Sequence, residues 1–173
     1  MIEGNKIRLR ALTKKDISKT IRWHNDLELK NLTLSHPYPV TDLQEEEWID
    51  NIIKDKSNRN VYFGIEDKLS LELVGIIFLS KINLIHQTCW LGVFIGDNNS
   101  RGKGFGKEAV RLVTEYAFNN LNLRKVSLEV VVTNKAAISV YKKLGFVIEG
   151  EMKKQVFIQS SLQSVVIMST FVK

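Results

Sequence analysis

Ser100-Arg101-Gly102-Lys103-Gly104-Phe105-Gly106-Lys107 is the stretch from which the rest of the chain can be read. It lies between an apolar run at 88–95 and a segment in which Ala109, Val110, Val113 and Ala117 recur at helical spacing. A strand therefore feeds a helix through a glycine-rich turn. The first N–H groups of such a helix have no intrahelical partner and carry partial positive charge. Glycines let the backbone approach a phosphate without a Cβ in the way and accept positive φ. Arg101, Lys103 and Lys107 add full charges. The loop reads as a phosphate cradle. It is not a P-loop, because Glu108 stands where that motif needs a Mg²⁺-binding hydroxyl after the lysine. Nor is it a dinucleotide fingerprint: the spacing is G-x-G-x-G, and it follows the fourth expected strand rather than the first.

Upstream, residues 6–12 alternate as a short strand with Ile7, Leu9 and Ala11 on one face. Thr13 and Asp16 suggest a helix start, with the helix running to about residue 25. Residues 31–40, with Pro37 and Pro39, read as irregular. Thr41 and Gln44 form a capping box that opens a helix to about residue 56, with Trp48, Ile49, Ile52 and Ile53 on its apolar side. Strands are expected at 60–66, 71–79 and 88–95, and a helix at 104–119. Downstream comes a β-branched strand at 125–132. Asn134 then caps a helix that Gly145 ends, and an antiparallel pair covers 146–158 and 162–171. The expected fold is α/β, a mixed and largely antiparallel seven-stranded sheet with helices on both faces, in one domain spanning 1–173.

Composition agrees. Of 173 residues 44% are hydrophobic and 25% charged, enough for one core and too apolar for a disordered chain. A single cysteine, Cys89, excludes a disulfide framework and a cysteine-based zinc cluster. No run of about 18 apolar residues is present, so no membrane span is expected, and the N-terminal segment lacks the apolar core of a signal peptide. A cytoplasmic protein is expected. The net charge of +6 is uneven: residues 101–173 carry 12 basic and 5 acidic side chains. That field suits a phosphorylated small molecule. Without basic runs or interleaved aromatics, nucleic acid is not the expected partner.

Arg101-x-x-Gly104-x-Gly106 resembles the acyl-CoA pyrophosphate loop of the GNAT superfamily of N-acetyltransferases. Asn134-x-x-Ala137-x-x-x-Tyr141-x-Lys143-x-Gly145-Phe146 resembles the second signature of that family. The opening LRAL strand, the Arg22–Asp26 segment and the GFVIEGE strand are similar to the RimJ/RimL branch, which acetylates ribosomal-protein N-termini, spermidine or amino sugars. The resemblance implies acetyl-CoA as co-substrate, no metal, and a primary amine attacking the thioester directly. It implies that the backbone of Val93, Phe94 and Ile95 pairs with pantetheine amides. Arg101, Gly102, Lys103, Gly104, Phe105 and Gly106 would hold the pyrophosphate, with Asn134 and Lys143 contacting the cofactor arm. Tyr141 would protonate the leaving thiolate.

Deprotonating the acceptor ammonium needs a base, and Glu129 on the strand beside the cofactor is the candidate. His24, His36 and His86 are too far apart for a local metal motif and read as polar surface. Asp42, Glu45, Glu46, Glu47 and Asp50 read as a solvated helix face, or as an attractor for a polyamine. Trp23 and Tyr38 are placed either in the acceptor cleft or in core and loop. The competing reading is a non-catalytic acyl-CoA sensor, against which Tyr141 weighs. A homo-oligomer is left open.

Overall fold

The computed structural model describes residues 1–172. Strands are β1 Ile2–Glu3, β2 Ile7–Arg10, β3 Val61–Asp67, β4 Leu73–Asn83, β5 Thr88–Ile95, β6 Lys125–Val131, β7 Val147–Ile158 and β8 Ser161–Phe171. Helices are α1 Ile17–His24, α2 Leu27–Thr33, α3 Asp42–Lys54, α4 Phe105–Asn119 and α5 Lys135–Lys143. One sheet holds all eight strands in the order β1-β2-β3-β4-β5-β6-β8-β7. The strand beyond the seven expected is the two-residue β1, which pairs with the far edge of β2.

There are three local departures, and the first two have physical causes. The chain makes a 3₁₀ turn over Lys14–Asp16 before α1, because the Asp16 carboxylate accepts from the Thr13 N–H at 2.8 Å and from the Arg10 guanidinium. The unexpected helix α2 is capped by Asp26, whose side chain accepts from the Leu29 N–H, and it ends at Leu34 with φ 58°. Ile53, assigned to the apolar side of α3, is instead exposed, while Ile49 is fully buried. The Thr41–Gln44 capping box forms as expected.

The sheet carries a core on each face. Ile7, Leu9, Ile65, Ile77, Leu79 and Leu128 pack with Ala109, Val110, Val113 and Ala117 of α4. A second cluster takes Leu73, Ile76, Tyr62, Phe78 and Phe94, alternating along β3–β5, against Trp23, Leu29 and Ile49 of α1–α3. Polar groups also tie elements together. Arg10 spans Glu66 of β3 at 2.5 Å and Asp16 at 2.8 Å, while Arg8 holds the other Glu66 oxygen.

The feature that makes a site is the one parallel contact. β5 and β6 pair only from Thr88–Trp90 to Lys125–Ser127 and then diverge. From Leu91 onward β5 keeps β4 on one side and leaves its other edge open.

Candidate active site

Backbone alternation decides what that open edge offers. The Gly96 N–H bonds the Val74 carbonyl across β4, so even-numbered positions of β5 turn their backbone groups to β4. Leu91, Val93 and Ile95 turn theirs to the gap. Arg101 corroborates this, because its Nε donates to the Ile95 carbonyl at 3.1 Å. Of the three strand residues expected to present backbone, Val93 and Ile95 do. Phe94 faces the cleft with its ring, packed edge-on to Trp23 at 6.0 Å.

The gap widens into a cleft of about 820 Å³. Val93, Phe94, Ile95, Arg101, Gly106, Glu129, Asn134 and Tyr141 all line it, so residues far apart in the sequence converge on one space. Arg101 bridges strand and loop. Its Nη2 is buried with no hydrogen-bond partner among the described residues, an uncommon state for a guanidinium nitrogen. A bound phosphate oxygen would satisfy it. Gly102 and Gly104 adopt φ of 77° and 88°, and Gly104 is the N-cap of α4. A side chain at either position is strained. The residues therefore fit the acyl-CoA pyrophosphate.

The remaining loop positions differ. Phe105 is buried in the core beneath the loop. Lys103 is exposed, with its carbonyl accepting from Lys6 Nζ at 3.1 Å. Gly102, Lys103, Gly104 and Phe105 border the helix start without lining the cleft, and Lys143 is exposed at the end of α5 and also outside it.

Asn134 caps α5, with Oδ1 accepting from the Ala137 N–H at 3.1 Å. That leaves the Nδ2 group free to donate into the cleft. Four residues after Ala137, Tyr141 is buried against Phe146, with ring centroids 5.7 Å apart. Burial pushes its phenol up to about 12, so it keeps its proton through the neutral range. Glu129 is exposed on β6, with no hydrogen bond holding its carboxylate among the described residues. Buried Cys89, with its thiol pushed up to about 12, lies apart in the core.

Sequence reasoning missed the other wall. His24, read as polar surface, lines the cleft, as does Glu45 of the acidic run. His24 Nδ1 and Glu45 Oε2 are 2.8 Å apart, and Glu45 is 0% exposed. Asp50 does lie on the surface, paired with Lys14 and Lys54. Trp23 is both core and cleft wall, and exposed Tyr38 borders the opening with His36. Only the three-residue spacing from Thr41 to Gln44, which fixes the phase of α3, hinted at which acidic side chain turns inward. Among the described residues, no group of three or more His, Cys, Asp or Glu side chains gathers to hold a metal ion, and no helix is long and apolar enough to cross a membrane.

A glycine-rich helix start with an unpartnered guanidinium nitrogen, a strand edge with free backbone groups and a neutral buried phenol on one cleft match what an acyl-CoA-dependent transferase needs. Residues 6–147 match the acetyltransferase (GNAT) domain family, and the chain belongs to that family. It is 31% identical over 162 residues to spermidine N(1)-acetyltransferase of Vibrio cholerae, covering 94% of this chain and 91% of that protein. The corresponding Escherichia coli enzyme is 28% identical, covering 99% of this chain and 89% of that protein. A crystal structure of the V. cholerae enzyme in complex with CoA and spermine superposes with a TM-score of 0.89 at 30% identity, covering 97% of this chain and 96% of that one. The protein is an acetyl-CoA-dependent N-acetyltransferase.

Proposed function

We propose that the chain transfers an acetyl group to a primary amine by direct attack on the thioester, with Tyr141 as the acid. Acetyl-CoA supplies the activated carbonyl and the thiolate leaving group. The N–H groups of Val93 and Ile95 hold the pantetheine arm on the open edge of β5 and polarise the carbonyl. Arg101 Nη2 and the first N–H groups of α4 take the pyrophosphate. Asn134 orients the arm through Nδ2, and Glu129 draws the ammonium form of the acceptor into the cleft. Polyamines, which the V. cholerae and E. coli relatives are named for, are the first acceptors to test. We place the enzyme in the cytoplasm, on its lone buried cysteine, and propose a homo-oligomer, since the V. cholerae enzyme has a dodecameric structure.

The observation that carries the reading is Tyr141 itself: buried, neutral and on the same cleft as the open strand edge. A sensor that only bound acyl-CoA would need the edge and the loop but not the acid. Phenylalanine keeps the ring and its packing on Phe146. Tyr141→Phe is therefore expected to lower turnover about 10²- to 10⁴-fold, roughly 3–5 kcal/mol of barrier. Thiol release, acetyl-CoA affinity and melting temperature check it. Unchanged turnover per folded molecule would remove Tyr141 from the chemistry.

A further inference from the structure

His24 ends α1 and Glu45 stands in the first turn of α3. The two meet on the cleft under the Trp48 ring, which lies edge-on to the imidazole at 4.6 Å, and beside the Phe94 ring at 6.2 Å. Burying a carboxylate is costly, and Glu45 is fully buried with Oε1 lacking a hydrogen-bond partner among the described residues. Its other oxygen is committed to His24 Nδ1 at 2.8 Å. A carboxylate can only accept, so Nδ1 donates to Glu45, and in the neutral ring Nε2 is then the nitrogen with the lone pair. The His24 side chain keeps 25% of its surface accessible, and the residue lines the cleft. An imidazole held by a carboxylate on one nitrogen and open on the other is the arrangement of an oriented general base.

Glu129 compares poorly for that role. No hydrogen bond holds it among the described residues, and it sits in solvent on β6. A base works best when its affinity for protons matches the working pH, and imidazole changes charge between about pH 5 and 8. The other titratable groups lining the cleft are Lys30 of α2, bonded to the Tyr38 carbonyl, His36 and Tyr38 of the following loop, Tyr62 of β3, Arg101 and Lys107 around the start of α4, Glu129 of β6 and Tyr141 of α5. β5 contributes only apolar side chains and Gly92 there.

We infer that His24, oriented by Glu45, removes the proton from the acceptor ammonium, while Glu129 serves to attract it; the inference rests on the amine-acceptor reading. The ammonium gives one proton to Nε2, leaving a neutral amine and an imidazolium that Glu45 compensates. The amine nitrogen forms the C–N bond, the C–S bond breaks, and sulfur keeps the electron pair and takes the Tyr141 proton. The second proton leaving nitrogen restores the phenol, and the imidazolium returns its proton to water. Amide, free thiol and one proton result.

The test is the pH profile of kcat/KM for thiol release, over about pH 5–9. The acceptor is whichever of spermidine, glucosamine and an alanine-terminated peptide the wild type acetylates fastest. His24→Gln is expected to lower the neutral-pH value about 10²-fold or more and to abolish the acidic limb, with acetyl-CoA affinity kept. Glu45→Gln is expected to lower kcat about tenfold or more with acetyl-CoA affinity kept, because the imidazolium formed in the step loses the carboxylate that compensates it. Glu129→Gln is expected to raise KM for the amine and leave the limb in place. A His24→Gln enzyme with wild-type rate and limb, or a limb lost in Glu129→Gln instead, overturns the inference. Should His24→Gln not fold, a wild-type kcat in Glu45→Gln overturns it equally. Acetyl-CoA binding without thiol release to any of the three amines overturns the acceptor reading itself.

Discussion

Arg101 joins the fold to the proposed cofactor site. Its Nε ties the loop to the Ile95 carbonyl, and its Nη2 stays buried without a partner among the described residues. Methionine approximates its stem but supplies neither donor. Arg101→Met is expected to weaken acetyl-CoA binding at least tenfold, about 1.4 kcal/mol, since hydrogen bonds to charged groups are worth about 1.5–3 kcal/mol each. Calorimetry checks it, and unchanged affinity would take the guanidinium out of the site. At this scale the motif residues were legible because each acts locally, the glycines at positive φ, the asparagine at a cap, the tyrosine one turn beyond Ala137. His24 and Glu45 were not. They are 21 residues apart, and their meeting depends on how α1 packs on α3, which no spacing encodes.

At the scale of elements, α5 is positioned by its own cap residue. Asn134 Oδ1 caps the helix that carries Tyr141, and Nδ2 is left for the proposed contact with the cofactor arm. Two substitutions separate these roles. Asn134→Asp keeps an acceptor for the Ala137 N–H and loses the donor, so melting temperature should hold while acetyl-CoA affinity falls. Asn134→Ala loses both and should cost about 1 kcal/mol of stability as well. Equal effects from the two would assign Asn134 to the cap alone. Gly92 works at the same level: a Cβ there would clash with Cζ of Phe78, so any side chain at 92 would force that ring to move. The strands and long helices were legible from periodicity. Helix α2 was not, because it is only seven residues long and runs into the segment that Pro37 and Pro39 make irregular, leaving the Asp26 cap as its one local signal. Nor was the divergence of β5 from β6 visible, since both runs read as uninterrupted strands and pairing is set by the partner.

At the scale of the molecule, the buried charges that lock β2, β3 and the turn before α1 set its acid tolerance. Burial opposes ionisation of Asp16, but the Arg10 guanidinium and the Thr13 N–H outweigh it and hold the carboxyl below its usual range. A depressed folded value contributes stability above the unfolded value and loses it as pH falls through the folded one. Asp16→Asn should therefore lower the denaturation midpoint at neutral pH and flatten the loss of stability below about pH 4. An equally steep acid limb would mean that other carboxylates set it. We propose that the acyl-CoA arm occupies the gap where the sheet opens, completing β5 as a missing strand would. Amide hydrogen exchange with and without acetyl-CoA tests this directly. The N–H groups of Val93 and Ile95 should slow strongly on binding, along with those opening α4, while Phe94, already paired to β4, changes little. Saturating acetyl-CoA that leaves Val93 and Ile95 exchanging as before, with protection elsewhere, would contradict it.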